Sequence, residues 1–219
     1  MERSPVKTCT EKLFKVLVIG DVKVGKSNII LRYVKKRFDE NYKGTIGIDF
    51  TLKTLEWDAK TTVRLQLWDI AGQDRFCNMS RVFCKAAMGA LVVLDITNSL
   101  TLQSAARWKQ DLDSKVCLDD GRPVPAILLA NKCDLKERDK DLVSSLDRFC
   151  KDNNFVGWFE TSAKEDININ EACEFLVKQM MLRDTGLSNE EHHWDRIKVD
   201  QTPGKSQSSQ SRCCSKPAN

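Results

Sequence analysis

The stretch LFKVLVIGDVKVGKS, residues 13–27, decides the fold. Its first part, Leu13–Ile19, is a continuous apolar run that ends at a glycine, which is typical of a buried strand. Its second part, Gly20–Ser27, fits the pattern G-x-x-x-x-G-K-[ST], and residues 26–36 have a helical pattern. Between a strand and a helix, backbone N–H groups and the helix N-terminus can hold phosphate groups. The sequence therefore predicts a phosphate-binding loop.

Two side chains of this loop have predicted roles of their own. The Lys26 ammonium can reach the β- and γ-phosphates of a nucleotide, and the Ser27 hydroxyl is an oxygen ligand of the kind that Mg²⁺ prefers. A chance glycine-rich turn is the alternative, which the preceding strand and the following helix disfavour. The predicted nucleotide-binding residues of this segment are Gly20, Asp21, Val22, Lys23, Val24, Gly25, Lys26, Ser27 and Asn28.

Further along the chain, strand-length apolar runs alternate with helical patterns. TIGIDFTLKTLEW and VRLQLWDI alternate apolar and polar residues on either side of DAKT, which predicts a hairpin. Strands that alternate with helices predict an α/β fold with about six strands, mostly parallel and one antiparallel, and helices on both faces. The other predicted elements are strands at 89–95, 125–131 and 155–160 and helices near 100–115, 140–152 and 169–181.

The segment WDIAGQ, residues 68–73, ends the second hairpin strand. Asp69 lies at the same end of the sheet as the phosphate loop, where its carboxylate can hold Mg²⁺ through a water molecule. The N–H of Gly72 can meet a γ-phosphate, and the Gln73 side chain can orient an attacking water, so Gln73 is the predicted catalytic residue. A carboxylate at a strand end is often only a turn cap, but its pairing with the phosphate loop favours a metal site.

A later loop, NKCD at Asn131–Asp134, predicts recognition of guanine. The Asp134 carboxylate can accept hydrogen bonds from both the N1–H and the exocyclic amine of guanine. Adenine lacks this pair of donors, so such a carboxylate selects guanine. Asn131 is expected to join neighbouring loops, and the stem of Lys132 can lie over the ring.

A second base-binding loop is predicted at ETSAK, residues 160–164, directly after the last strand. The backbone N–H of Ala163 can donate to O6 of guanine. Each short motif is weak evidence alone, but all four follow strands, and the carboxyl ends of strands are where such sheets bind ligands. The residues of this loop predicted to bind nucleotide are Ser162, Ala163 and Lys164.

Composition argues against several other classes of protein. The 219 residues suit one domain plus a tail, and the net charge of +4 is too small to predict nucleic-acid binding. The nine cysteines contain no C-x-x-C pair, which argues against a zinc site. The start MERSPVKTCTEK is too polar for a signal peptide, and no apolar run approaches the ~20 residues that span a bilayer. We expect a cytosolic protein.

These motifs together resemble the Rab family of Ras-superfamily GTPases, over roughly residues 12–182. IGIDF, WDIAGQDRF and GALVVLDIT are similar to Rab-diagnostic segments. WKQDLDSK, LLANKCDL and FVGWFETSAKE resemble the branch numbered twenty-nine, thirty-two and thirty-eight, and Ile70 stands where most Rabs have threonine. The resemblance implies a P-loop, Ras-like fold and three regions: a flexible N-terminus at 1–11, a GTP-binding domain at 12–182 and a flexible tail at 183–219.

The resemblance also assigns roles to individual residues. Thr45 matches the first-switch threonine, so it joins Ser27 and Asp69 as a Mg²⁺ ligand. Phe38 matches an aromatic residue that packs against guanine. For Phe50 and Trp68, plain core packing is the alternative on residue type alone. The residues predicted to face effectors are Ile46, Phe50, Trp68 and Phe83, the last three matching the Rab aromatic triad.

Several positions depart from the Rab pattern. Val22 and Lys23 stand where small residues are usual, Asp74 replaces a glutamate, and Cys84 replaces a tyrosine. The pair Cys213 and Cys214 resembles a prenylation signal, but Ser215–Asn219 follow it, whereas Rab tails normally stop sooner. Two unmodified thiols are the alternative.

The resemblance implies a small GTPase that regulates vesicle traffic between Golgi and endolysosomal membranes or at lysosome-related organelles. We expect a slow hydrolase with Mg²⁺ as cofactor, monomeric, attached by its tail to the cytoplasmic face of intracellular membranes and cycling with the cytosol. Its implied partners are guanine nucleotides, an exchange factor, an activating protein and effectors. Two alternatives remain: a phosphotransferase for a small substrate, and a nucleotide-loaded scaffold with little hydrolysis.

Overall fold

Strands and helices alternate along the computed structural model, which describes residues 10–41, 44–72, 81–136 and 140–184. A short 3-10 helix, Cys133–Leu135, follows the fifth strand. The bounds of the strands and helices are β1 Thr10–Ile19, α1 Lys26–Lys35, β2 Ile48–Asp58, β3 Thr61–Ile70, α2 Arg81–Cys84, β4 Gly89–Asp95, α3 Ser99–Lys115, β5 Ala126–Asn131, α4 Lys140–Asp152, β6 Gly157–Thr161 and α5 Ile169–Asp184.

Within these residues, six strands form one sheet in the order β2-β3-β1-β4-β5-β6. β2 runs antiparallel to β3, and all other neighbours are parallel. The predicted α/β fold with a mostly parallel sheet is confirmed. β3 lies on one side of β1, and β4 lies on the other. The strand order therefore changes direction at β1, and such a point opens a crevice at the carboxyl ends of the strands.

The sheet is buried on both faces, which explains the continuous apolar runs of its central strands. In β1, Phe14, Val16 and Val18 pack with α1 and α5 in one buried cluster. The alternate residues Leu17 and Ile19 pack with α3 and α4 in the cluster on the opposite face. Helices therefore cover both faces, and β1 is fixed at the centre of the sheet.

The hairpin of β2 and β3 brings Asp69 to the crevice. Asp69 pairs with Val18 of β1 on one side and with Asp49 of β2 on the other. Since Val18 is two residues from the phosphate loop, the register alone places the Asp69 carboxylate beside that loop.

The element bounds differ from the sequence prediction at several ends. β1 begins at Thr10 instead of Leu13, and β2 begins at Ile48 instead of Thr45. Thr10 pairs with Thr61 through the backbone, which an apolar pattern cannot reveal. α5 ends at Asp184, so the regular elements extend slightly beyond the expected domain limits of 12 and 182. None of the helices in the described ranges is long and apolar enough to cross a membrane.

Candidate nucleotide-binding site

Two glycines shape the loop between β1 and α1. Gly25 has a φ of 103°, a left-handed conformation that strains other residues, and a Cβ added there would clash with the side-chain amide of Asn131. A Cβ at Gly20 would clash with the carbonyl of Val93 in β4. The loop can therefore pack directly against the ends of β4 and β5.

Lys26, the first residue of α1, folds its side chain back into this loop. The side chain is buried, and Nζ donates to the carbonyl oxygens of Gly20 at 2.9 Å and Asp21 at 2.8 Å. Burial lowers the pKa of Lys26 to about 8, while the nearby Asp69 and Asp21 oppose the shift. A phosphate in the loop would supply the negative charge that a buried ammonium needs.

Three side-chain oxygens from three segments meet beside Lys26. Thr45 Oγ1 lies 2.7 Å from Ser27 Oγ and donates to Asp69 Oδ2 at 2.8 Å. Ser27 Oγ donates to the same carboxylate oxygen. The structure thus brings together the three residues predicted to bind the metal.

The Asp69 carboxylate has the character of a metal ligand. It is only 3% exposed, and its Oδ1 is buried without a hydrogen-bond partner. Burial raises the pKa of Asp69, against the hydrogen bonds from Ser27 and Thr45 and the charge of Lys26. A buried, unsatisfied carboxylate oxygen next to two hydroxyls fits a hard cation such as Mg²⁺, which prefers oxygen ligands.

Gly72, just after β3, lies against the phosphate loop. A Cβ at this position would clash with the carbonyl oxygens of Gly20 and Asp21. Glycine is therefore what lets the backbone after β3 approach the place where a γ-phosphate would lie. Gln73, the predicted catalytic residue, lies outside the described residues.

Asn131 joins three loops at the carboxyl end of β5. Its Nδ2 donates to the Val24 carbonyl at 2.8 Å. Its Oδ1 accepts from the Thr161 hydroxyl and from the Ala163 N–H, both at 3.3 Å. The Ala163 amide, predicted to face O6 of guanine, thus has a long hydrogen bond within the protein in this structure.

Asp134 is oriented by the second base-binding loop. Its Oδ1 accepts from the Ser162 hydroxyl at 2.6 Å, and Ser162 Oγ in turn accepts from the Glu165 N–H at 3.0 Å. Ser162, predicted to bind nucleotide, therefore contacts through its side chain the carboxylate that was predicted to select guanine. This bond fixes one carboxylate oxygen of Asp134 relative to the loop.

Lys132 adopts a left-handed conformation, with a φ of 66°, and pairs with Asp95 at the end of β4. Burial would raise the pKa of Asp95, but the hydrogen bonds from Lys132 and Thr97 outweigh it and lower the pKa. The ion pair holds the Lys132 stem in the crevice. Asp95 ends the predicted strand at 89–95 and lies within GALVVLDIT, but no sequence pattern identified Lys132 as its partner.

Comparison with known proteins decides the family. A family model described as the Ras family matches residues 15–182, which include every loop described above. The chain belongs to the Ras family. It is 53% identical over 211 residues to Ras-related protein Rab-32 of Homo sapiens, covering 96% of this chain and 93% of that protein. It is also 52% identical to Rab-32A of Dictyostelium discoideum, over 80% of each chain, and 50% identical to Rab-7L1 of Homo sapiens, over 80% and 86%.

These relatives place the chain in the Rab branch, as its motifs predicted. It is a small Rab GTPase of membrane trafficking, and its reaction is the hydrolysis of GTP. The phosphotransferase alternative is therefore wrong.

In this Rab GTPase, the residues predicted to face effectors differ in exposure. Ile46 is 91% exposed and Phe50 is 50% exposed. Trp68 and Phe83 are half-buried against the cluster under α3 and α4. Phe50 meets Trp68 edge-to-face with ring centroids 5.9 Å apart. Trp68 and Phe83 thus combine core packing with partial exposure, and Cys84 is buried in the same cluster.

Asn28 uses its side chain for a purpose that the sequence did not predict. Its Nδ2 donates to the Asp39 carbonyl at 3.0 Å, and its Oδ1 accepts from the Asp39 N–H at 2.9 Å. This clamp fixes the segment that carries Phe38, which is half-buried against the core cluster that includes Ala163. Phe38 therefore lies on the face of the sheet that α1 and α5 cover.

Two loop residues of this Rab are unusual for their positions. Val22 is 47% exposed, and Lys23 has a φ of 66°, a conformation that favours glycine. Asp74, another departure from the Rab pattern, and Cys213 and Cys214, the predicted prenylation signal, lie outside the described residues.

Side chains that support the loops from outside the motifs were missed by sequence reasoning. Trp108 of α3 donates its indole N–H to Asp21 of the phosphate loop at 2.8 Å. Arg32 of α1 donates to the carbonyl oxygens of Ala163 and Lys164. A tryptophan or an arginine in a helix has no local pattern that identifies its distant partner.

Proposed function

We propose that this Rab GTPase holds a guanine nucleotide with Mg²⁺ in the crevice at the carboxyl ends of β1, β3, β5 and β6. The observation that carries the proposal is the meeting of Ser27, Thr45 and Asp69 beside the buried Lys26 ammonium. Thr45 belongs to the segment before β2, so its place beside Ser27 links that segment to the presence of metal and γ-phosphate. This link is what makes the protein a switch.

The chain supports hydrolysis by positioning and charge. Mg²⁺, when bound, would neutralise charge that develops on the β- and γ-phosphate oxygens. Lys26 provides a buried positive charge at the loop, and the Gly72 N–H faces the γ-phosphate. Gln73 orients the attacking water. The water oxygen bonds to the γ-phosphorus while the bond to the β–γ bridging oxygen breaks, which yields phosphate and GDP without a covalent intermediate.

The base is selected by Asp134, held by Ser162. Full-length protein loaded with a fluorescent guanosine diphosphate tests this assignment in competition with unlabelled guanosine and adenosine diphosphates. We expect guanosine diphosphate to displace the label at concentrations orders of magnitude below those of adenosine diphosphate, because a site built around polar contacts strongly rejects a base that lacks them. Equal displacement by the two nucleotides would contradict a guanine site.

We also propose that a lipidated tail attaches the protein to the cytoplasmic face of Golgi, endolysosomal or lysosome-related membranes, as a monomer that cycles with the cytosol. The resemblance to the Rab branch and the pair Cys213 and Cys214 support this proposal. Effectors would bind the surface formed by Ile46, Phe50, Trp68 and Phe83, and an exchange factor and an activating protein are the other proposed partners. A GTP-binding domain over about residues 12–182 belongs to the same proposal.

A scaffold with slow turnover is the second candidate, and one observation favours it. Val22 projects a branched side chain from the phosphate loop with nearly half of its surface exposed. A group at this position would stand near the attacking water and near any residue that an activating protein inserts. Nucleotide binding would then be intact while hydrolysis is slow.

A further inference from the structure

Arg32 connects the helix of the phosphate loop to the second base-binding loop. It lies on α1, six residues after Lys26. Its Nε donates to the Ala163 carbonyl and its Nη2 to the Lys164 carbonyl, both at 2.8 Å. Its Nη1 donates to the Lys36 carbonyl at 3.2 Å, at the C-terminal end of the same helix. One half-buried guanidinium therefore binds three carbonyl oxygens.

The base-binding loop is closed on its other side by its own hydrogen bonds. The backbones of Ser162 and Ile167 form an antiparallel bridge, with N–O distances of 3.2 Å and 3.0 Å. The Asn168 side chain adds a hydrogen bond to the Glu160 carbonyl at 2.7 Å. These bonds fix the base of the loop relative to β6, whereas Arg32 fixes its tip relative to α1.

The two hydrogen bonds to the carbonyl oxygens of Ala163 and Lys164 depend on the guanidinium group of an arginine. Nε and Nη2 lie on one edge of a planar, rigid group, so they can bind two successive carbonyl oxygens in parallel. A lysine ammonium carries the same charge but is a single point at the end of a flexible chain. The paired bonds set the orientation of the two peptide planes that directly follow the Ala163 N–H.

We propose that Arg32 is a positioning residue that aims the Ala163 N–H at O6 of guanine and couples the base-binding loop to the phosphate-binding helix. The proposal rests on the guanine site proposed above. Without Arg32, the Ala163 amide keeps its long hydrogen bond to Asn131 Oδ1 but loses the orientation set through the two following peptide planes, so the O6 contact weakens first. Phosphate contacts are affected less, because they come from the other end of α1.

The test compares release of two nucleotides from the full-length protein. 6-Thioguanosine diphosphate keeps the donors that face Asp134, but its sulfur is a weak hydrogen-bond acceptor. The wild-type protein should release it faster than guanosine diphosphate. Arg32→Ala should speed the release of guanosine diphosphate on the order of tenfold, the equivalent of losing about one charged hydrogen bond. It should speed the release of the thio nucleotide much less, so the two rates converge.

Two further variants complete the test. Arg32→Lys should behave like Arg32→Ala, because charge without the planar fork cannot hold both carbonyls. Arg37→Ala, which removes an exposed arginine just after α1, should leave both rates unchanged. Equal acceleration of both nucleotides in Arg32→Ala, or no acceleration, would overturn the role of Arg32. A wild-type protein that releases adenosine diphosphate as slowly as guanosine diphosphate would instead contradict the guanine site itself, and the role of Arg32 with it.

Discussion

At the scale of single residues, we expect base selection to depend on the Asp134 carboxylate. Asp134→Asn replaces an acceptor with an amide that also donates, which suits the 2-oxo group of xanthine better than the amine of guanine. The ratio of affinities for guanosine and xanthosine diphosphates should therefore shift toward xanthosine on the order of 10²-fold or more. Competition against a fluorescent nucleotide measures this ratio.

The matched control for this change is Ser162→Ala. It removes the hydroxyl that donates to Asp134 at 2.6 Å but keeps the carboxylate. It should weaken the binding of both guanosine and xanthosine diphosphates without inverting the preference for guanosine. A preference that stays with guanosine in Asp134→Asn would remove Asp134 from the base site.

Val22 is the residue on which the rate of hydrolysis should depend. Its exposed, branched side chain stands on the phosphate loop, and catalysis by positioning can lose ~10²-fold for a displacement of about 1 Å. We expect Val22→Ser to hydrolyse GTP faster than the native protein in single-turnover assays. Gln73→Leu, which removes the group that orients the water, should be no faster than native.

The comparison requires the native protein and both variants, with and without an activating protein. Nucleotide affinity serves as the control, since Val22→Ser should leave it unchanged. If native protein and Val22→Ser hydrolyse GTP at the same rate under both conditions, the valine does not slow the reaction.

At the scale of elements, α3 supports the phosphate loop through one hydrogen bond. Trp108 is 1% exposed, and its indole N–H donates to the Asp21 carboxylate at 2.8 Å. Trp108→Phe keeps most of the buried area but removes the donor, and a hydrogen bond to a charged group contributes about 1.5–3 kcal/mol. We expect the free energy of unfolding, measured by thermal unfolding, to fall by about this amount. We also expect faster release of guanosine diphosphate, measured by the fluorescence of a labelled nucleotide.

Trp158 provides the matched control. Its indole N–H donates to Asp147 of α4, also at 2.8 Å, on the half-buried strand β6. Trp158→Phe should reduce stability but leave nucleotide release unchanged, since neither partner touches the phosphate loop. Release from Trp108→Phe at the wild-type rate would show that α3 does not hold the loop.

The sequence was sufficient to predict the elements that arise from local sequence patterns. The apolar run from Leu13 and the glycine pattern after it predicted β1, its loop and α1, because burial on both faces and phosphate-binding loops leave local patterns. Strand ends were less accurate: Thr10 joins β1 through backbone pairing with β3, although its side chain is exposed.

The site was predictable only in part, for a related reason. Motifs predicted roles for Ser27, Asp69 and Asp134, but the contacts of Arg32 and Asn28 depend on how separate segments pack. Arg32 and Ala163 are 131 residues apart in the chain, and nothing near either residue indicates the other. The Asn28 side chain binds the Asp39 backbone, a contact set by the path of the chain after α1.

At the scale of the whole molecule, membrane attachment should depend on lipid. From Arg183 onward, the chain has six basic residues and five acidic residues, so its charge is nearly balanced. A balanced segment is not held by anionic lipid, and stable anchoring takes two signals, which a pair of prenyl chains on Cys213 and Cys214 would supply. The basic residues are Arg183, Arg196, Lys198, Lys205, Arg212 and Lys216, and the acidic residues are Asp184, Glu190, Glu191, Asp195 and Asp200.

The double variant with both cysteines changed to serine should therefore be cytosolic in fractionated animal cells, while the wild-type protein sediments with membranes. Cys117→Ser, at an exposed cysteine within the folded region, is the control and should not change the distribution. An intact mass from the same cells that shows no prenyl adduct on the wild-type protein would refute this mode of attachment.

The most direct test of the central claim, a guanine-nucleotide switch built around a shared metal site, is the affinity of Ser27→Asn for GTP and for GDP at saturating Mg²⁺. Ser27 Oγ lies 2.7 Å from Thr45 Oγ1 and also bonds Asp69, so its loss should matter most when the metal bridges a γ-phosphate as well. We predict that GTP affinity falls by at least ~10-fold more than GDP affinity, about 1.4 kcal/mol of difference, and that Ser27→Thr, which keeps the hydroxyl, resembles wild type. Equal losses of affinity for GTP and for GDP would contradict a switch built around this metal site.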